Sequence, residues 1–313
     1  MGRTDKGKSR VDEQGELFRK EEVSVLTPHV TSVLTTAQSS SPVVGPPPSQ
    51  SDAKSRLIAD YVSRFQLVTG GGLYIDGFAA PQSRDHEEAW TARRVLEIQP
   101  PRLRRFWLCD LEEKGIAQLK ALKSKHHRSP RSRHVHVVEG DFNETFKGIL
   151  KSGRILRNTA VFALLDQRTA ECHWSTVKRL AAHEGRTKIE LLYFLGTGWL
   201  HRSLASSSTP QRLGALDRWW GGRGWRDLLD QSTTTMASTM ADRFAHELGY
   251  RFVRFYPIFQ GKDGRALFHL IHASDHPEAP KLMARAYQSV VGSVPGTPTD
   301  AQFDFHAIMD GSG

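Results

Sequence analysis

The fold is decided by Gly70-Gly71-Gly72-Leu73-Tyr74-Ile75-Asp76-Gly77-Phe78-Ala79-Ala80-Pro81. A glycine run enters a short apolar strand, the strand ends on a carboxylate, and small residues follow. In an open α/β sheet the first strand presents a ligand site at its carboxyl edge in this way. The same event recurs along the chain. Phe106-Trp107-Leu108-Cys109 ends at Asp110, and Val135 to Glu139 runs into Gly140-Asp141. The continuous apolar run Ala160 to Leu165 ends at Asp166, and Ile189 to Leu195 ends at Gly196-Thr197-Gly198. An unbroken apolar run suits a parallel strand buried on both faces.

Helical segments separate these strands. Leu57, Ile58, Tyr61, Val62 and Phe65 recur at helical spacing, with Ser51 or Asp52 as the cap. Helices are predicted over Glu87 to Leu96, Leu111 to Lys123, Phe142 to Leu150, Trp174 to His183, Met236 to Leu248 and Pro277 to Ser289. Phe252 to Ile258 and Ala266 to Ala273, joined by Gly261-Lys262-Asp263-Gly264, read as a hairpin. Five β–α units followed by a helix and a hairpin predict an α/β protein with a mostly parallel sheet covered on both faces. A C-terminal antiparallel hairpin completes it. This is the pattern of the class I methyltransferase-like Rossmann fold, which uses S-adenosylmethionine.

The ordered domain is expected over residues 51–290, with an insertion near 205–232 that carries Trp219, Trp220 and Trp225. Residues 1–50 read as a flexible arm with a Pro-rich linker, and 291–313 as a flexible tail. Glu16 to Val25 is the one stretch of the arm with some potential for a helix or strand. No membrane span and no secretory leader are expected, because no apolar run is long enough. Two cysteines, Cys109 and Cys172, exclude a disulfide framework and a cysteine zinc site. A cytoplasmic setting is the expectation. The formal charge of +9 suits contact with nucleic acid or another polyanion, and equally a plain basic surface.

The acids at the strand ends form the candidate site. Asp110, after the second strand, is placed to accept hydrogen bonds from both hydroxyls of a ribose. Asp141 suits the exocyclic amine of an adenine beside Phe142, or equally a helix cap. Asp76 with the backbone of Gly77, Phe78 and Ala79 would hold the amino-acid part of S-adenosylmethionine. The loop after Asp76 lacks the G-x-G-x-x-G of a dinucleotide fold, and no Walker loop is present, so NAD and ATP rank lower. Asp166, Gln167 and Arg168 lie where amino-directed methyltransferases carry [D/N]-P-P-[Y/F], and are the candidate catalytic residues. The other reading of this corner is a salt bridge through Arg168.

Fourteen histidines show no metal-ligand spacing, so no metal site is expected. His269 and His272 fall on opposite faces of a strand and read as structural, and Cys109 as a small core residue. His126 to His134, with Arg102, Arg104 and Arg105, is a basic loop that suits phosphates or plain solvation. The three tryptophans suit base stacking or a satellite core.

Four segments together resemble the three-Cys-motif partner family: Tyr74 to Ala79, Leu165-Asp166-Gln167-Arg168, Leu192 to Leu200 and Ala273-Ser274-Asp275-His276-Pro277. They fall in the family's order and span about Ser51 to Ser289. The family's first loop resembles D-G-F-A-G-P-G, and this chain has Ala80 and Gln82 where its glycines fall. The resemblance implies a methyltransferase-type fold and a partner protein carrying a three-cysteine motif. The first functional expectation is an S-adenosylmethionine-dependent methyltransferase-like protein acting on nucleic acid or a partner protein. The second is a non-catalytic binding module on the same fold, and the third a nucleic-acid-binding protein using the arginine loop and tryptophans.

Overall fold

A computed structural model describes residues 50–81, 89–127, 133–183, 185, 187–198, 200, 209–260 and 265–290. The arm 1–49, the hairpin turn 261–264 and the tail from 291 lie outside the described residues, as does most of the basic loop, 128–132.

Helix α1 (Gln50–Val68) leads into β1 (Leu73–Asp76). Next come α2 (Thr91–Glu97), β2 (Arg105–Asp110), α3 (Glu113–His126) and β3 (His134–Glu139). The chain continues through α4 (Phe142–Lys151), β4 (Val161–Leu165), α5 (Trp174–Ala181) and β5 (Glu190–Leu195). The insertion forms α6 (Pro210–Trp220) and a 3-10 turn (Arg223–Leu228), followed by α7 (Thr233–His246). The hairpin β6 (Phe252–Gln260) and β7 (Arg265–Ser274) precedes α8 (Ala279–Val290).

The strands form one seven-stranded sheet in the order β3-β2-β1-β4-β5-β7-β6. The first five are parallel, and β7 pairs antiparallel with both β5 and β6. This is the class I methyltransferase-like arrangement. Side-chain alternation sorts the core into two halves. Leu73, Ile75, Trp107 and Cys109 face α4, α5 and α7. Tyr74, Phe106, Leu108, Phe162 and Leu164 face α1, α3 and α8.

The glycine run makes the turn from α1 into β1. Gly71 and Gly72 have φ of 135° and 125°, a region that side chains oppose. A Cβ on either would stand 2.9 Å from a carbonyl oxygen, that of Arg102 or of Ala160.

Two sequence expectations shift and one open reading is decided. The helix expected from Glu87 begins at Thr91, with Trp90 as its N-cap residue, and Glu87 itself is outside the described residues. Helix α3 runs on through His126, so the basic segment starts as helix and ends as strand at His134. In the insertion, of the two readings of the tryptophans, base stacking or core, the core holds for two: Trp219 and Trp225 are buried among the core residues. Trp219 Nε1 donates to Tyr193 Oη at 2.6 Å, and Trp225 Nε1 to Asp217 at 2.7 Å. Burial of both rings removes them from base stacking and makes them part of the core.

Candidate functional site

The strand order reverses between β1 and β4, and a ligand crevice opens at the carboxyl ends of two such strands. Asp76 ends β1 directly beside Leu164 of β4 and Leu108 of β2. Its carboxyl group is buried. Tyr74 Oη donates to Asp76 Oδ2 at 3.0 Å, and the Phe78 amide to Oδ1 at 3.2 Å. Burial, and then the neighbouring charge of Asp166, push the Asp76 pKa from 3.8 to about 7 despite these donors. Asp110 adds to the same rise. Asp76 therefore senses two of the other three strand-end acids at the switch point.

The loop after Asp76 is stitched down along its backbone. Gly77 N donates to Leu164 O at 3.0 Å, and Ala79 N to Cys109 O at 2.8 Å. Ala80 N donates to Asp110 Oδ2 at 3.0 Å, while Trp90 Nε1 closes over the Ala79 carbonyl at 2.7 Å. The Phe142 ring packs so closely on Gly77 that a Cβ there would meet it at 2.9 Å. Ala80 also has a specific seat. A Cβ on Gly115, in the first turns of α3, would fall 2.5 Å from that of Ala80. The Ala80 methyl group is thus accommodated by a glycine on the facing helix.

Asp110 is buried and holds two backbone amides, Ala80 N on one oxygen and Glu112 N on the other at 2.9 Å. An ionised carboxylate offers about four lone-pair sites, so two remain for a ligand. Asp141 is a helix cap: its Oδ1 accepts from the amide of Asn143 at 2.8 Å and from the Asn143 side chain at 2.8 Å. Phe142 is buried and tilts against the half-buried Phe78, ring centroids 6.0 Å apart, giving an apolar wall beside the acids.

In the corner after β4, each candidate side chain has an internal partner. Asp166 Oδ1 accepts from Lys54 Nζ at 2.7 Å. Gln167 is buried, donating to Phe194 O at 3.1 Å and accepting from Cys172 N at 2.8 Å. Arg168 reaches Glu112 at 3.1 Å. The salt bridge through Arg168 is present, and a second, through Lys54, was not anticipated.

Lys54 is the residue sequence reading missed. It sits on α1 and its ammonium lies 4.6 Å from the Phe194 ring centroid and 5.8 Å from that of Phe268. A signal existed: Lys54 precedes Leu57 and Ile58 by three and four residues, on the apolar stripe of α1. A charge on that stripe is one the fold must bury.

His269 and His272 point to opposite faces and are structural, as read from their spacing. His269 Nδ1 lies 3.0 Å from Thr197 Oγ1, and burial pushes its pKa down to about 4. His272 Nε2 lies 3.0 Å from Glu190 Oε1. Ser274 Oγ donates to Glu190 Oε2 at 2.8 Å, and Tyr61 Oη also donates to this carboxylate. The Glu190 cluster lies at the opposite, amino edge of β5. Cys109 is fully buried and its thiol is pushed up by burial, in keeping with a core role. Among the described residues no group of histidine, cysteine or acid side chains could hold a metal ion, and no helix is long and apolar enough to cross a membrane.

No protein-family model matches the chain, and no curated protein matches its sequence. Among solved structures it is similar to TYW2 of M. jannaschii in complex with AdoMet, at 8% identity and a TM-score of 0.36 over 72% of this chain and 75% of that one. It is similar to a duf574 family protein from Streptomyces avermitilis at 15% identity and a TM-score of 0.39, over 71% and 82% of the two chains. A third, a putative methyltransferase from Thermobifida fusca, shares 12% identity with a TM-score of 0.39, over 72% and 81%. Overlaps of this size carry no argument about the site. The strand order carries the fold.

Proposed function

We propose that the chain is an S-adenosylmethionine-dependent methyltransferase-like protein whose ligand sits at the β1–β4 switch point. One observation carries the reading: Asp76, a buried carboxyl group with a pKa of about 7, stands at that point without a cationic partner of its own among the described residues. A ligand that brings a positive charge would convert this group to its ionised form and be held by it. The residues fit such a group. Asp76 would take the ammonium of the amino-acid part, and the remaining lone pairs of Asp110 the ribose hydroxyls. Phe78 and Phe142 would flank the adenine. When bound, S-adenosylmethionine supplies an electrophilic methyl group. The chain's contribution is to align an acceptor at Asp166 to Arg168, and alignment alone can lower a barrier by several kcal/mol.

The substrate we propose is nucleic acid or a partner protein, in keeping with the basic balance of the chain. Membership of the three-Cys-motif partner family, a partner carrying a three-cysteine motif and a cytoplasmic setting are part of the same proposal. They rest on the four matching segments and on cysteine usage.

A second reading is favoured by the corner after β4. Asp166, Gln167 and Arg168 each have internal partners, as a corner that no longer meets a substrate would. On that reading the chain is a non-catalytic binding module working through a partner.

Calorimetric titration with S-adenosylmethionine separates these outcomes. The expected result is saturable binding that is lost in Asp76→Asn. No heat at millimolar ligand overturns the methyltransferase reading. Binding without methyl transfer to any nucleic acid or protein fraction favours the binding module.

A further inference from the structure

At the outer corner of the sheet, the starts of β2 and β3 carry rings and cations together. His136 stacks on Trp107, centroids 5.5 Å apart at 22°, and His134 lies 6.4 Å beyond it at 18°. His127, at the end of α3, meets the other side of His134 edge-on at 6.0 Å. His127 is fixed by accepting from Val135 N through Nδ1 at 3.3 Å. Trp107 is buried and forms the base of this stack, while His134 and His127 are exposed.

Cations surround the rings. Arg154 lies 3.2 Å from His136 Nε2, and Arg105 reaches the Arg154 carbonyl at 3.2 Å. Lys123 is close enough to act on His136, whose pKa is pushed down to about 4 by burial and then by Arg154, Lys123, His134 and Arg105. Three of these four neighbours, Arg154, Lys123 and Arg105, are cations. Among the described residues no carboxylate pairs with Arg105, Lys123 or Arg154. Two acids on flanking elements are otherwise engaged, Glu97 with Arg93 at 3.0 Å and Glu139 with Lys120 at 3.8 Å.

We infer that this corner is a docking surface for single-stranded nucleic acid, with Arg105, Lys123 and Arg154 facing phosphates and the His134 and His127 rings facing bases. Unneutralised cations beside exposed flat rings are the two elements that recognise a single strand. A duplex offers phosphates but keeps its bases stacked away from the rings. The surface lies toward the amino edge of the sheet: Arg105 and His134 are in register with Leu73, about 10 Å of strand before Asp76 at roughly 3.3 Å per residue. It shares no residue with the switch-point site, and the inference does not depend on methyl transfer.

The test is fluorescence anisotropy with a labelled 12-nucleotide oligo-uridine, without S-adenosylmethionine, over a series of salt concentrations. Binding that weakens steeply with salt is expected. Arg105→Gln/Arg154→Gln should weaken it about tenfold or more and lower the log–log salt slope by roughly 1.4, two phosphates at about 0.7 each. His134→Ala should weaken binding about fivefold or more and leave the slope unchanged, because a stacking contact releases no counterion. Lys178→Gln/Arg179→Gln, an equal charge loss on exposed positions of α5, should bind as the wild-type protein does. Photocrosslinking of a 4-thiouridine strand to the wild-type chain, mapped by peptide mass, needs no variant and should mark 102–107, 123–127, 134–136 or 154. Equal loss in the control pair, tighter binding of a duplex of the same length, salt-insensitive binding or crosslinks confined elsewhere would each overturn the inference.

Discussion

Lys54 of α1 reaches across the carboxyl edge of the sheet and places its ammonium 2.7 Å from Asp166, with both side chains nearly buried at 7% and 12% exposure. The helix before β1 is thereby tied to the corner after β4, on either side of the point where the strand order reverses. The pair neutralises one of the two carboxylates there and leaves the other, Asp76, under pressure to hold a proton.

Removing one member of a buried pair leaves the other charge uncompensated. Lys54→Met should therefore lower stability by about 3 kcal/mol in urea unfolding at pH 7. The double variant Lys54→Met/Asp166→Asn should recover a large part of that loss. If the two single losses simply add, the pair is not coupled.

Asp76 makes stability depend on pH in an unusual direction. Its folded pKa of about 7 lies above its ordinary value of 3.8, so between those values the folded chain binds more protons than the unfolded one. Stability contributed by the protonated group is fully present below about pH 4 and is lost as pH rises to about 7. At roughly 1.4 kcal/mol per pH unit the loss is up to about 4 kcal/mol. Asp76→Asn should flatten the stability profile over that window, measured by denaturant midpoints at a series of pH values. In the wild-type chain, binding of a cationic ligand at pH 6 to 7 should ionise Asp76 and release its proton to the buffer, seen as a binding heat that changes with the buffer's heat of protonation.

The seat of Ala80 predicts a compensating pair. Gly115→Ala places a second methyl 2.5 Å from the first and should destabilise by about 1–3 kcal/mol. Ala80→Gly in the same chain should restore most of it. Thermal melts of the four combinations give the coupling, and purely additive losses would show that the loop does not rest on α3 as described.

Glu190 gathers Tyr61, His272 and Ser274 at the edge of the sheet remote from the switch point. Glu190→Ala leaves three buried polar groups without their acceptor and should cost about 3 kcal/mol or more. Glu190→Gln should cost less, since it keeps an acceptor oxygen. Neither should change the affinity for S-adenosylmethionine measured on the remaining folded protein.

Much of the fold was legible because strand ends and glycine turns are local events. Leu73 to Asp76, Ala160 to Asp166 and the hairpin each announce themselves within a few residues. The Asp141 cap was one of two open readings, and the Asn143 amide forms that cap. The corner at Asp166 was less legible. Its acid could be seen, but its partner lies 112 positions away on a helix that sequence reading treated only as core. Glu190 and His272 were likewise ordinary residues until 82 positions of chain were folded between them.

The sequence by itself determined the alternation of strand and helix, the acid at the end of each early strand, and the glycines that turn the chain into β1. These follow from backbone geometry and from side-chain periods of two and 3.6, which need no distant contact. Only the tertiary structure decided that Lys54 neutralises Asp166, that Asp76 is the carboxyl group left holding a proton, and that Ala80 fits because Gly115 faces it. Each depends on burial and on the distance between residues far apart in the chain, and desolvation and Coulomb energies take their size from those two quantities.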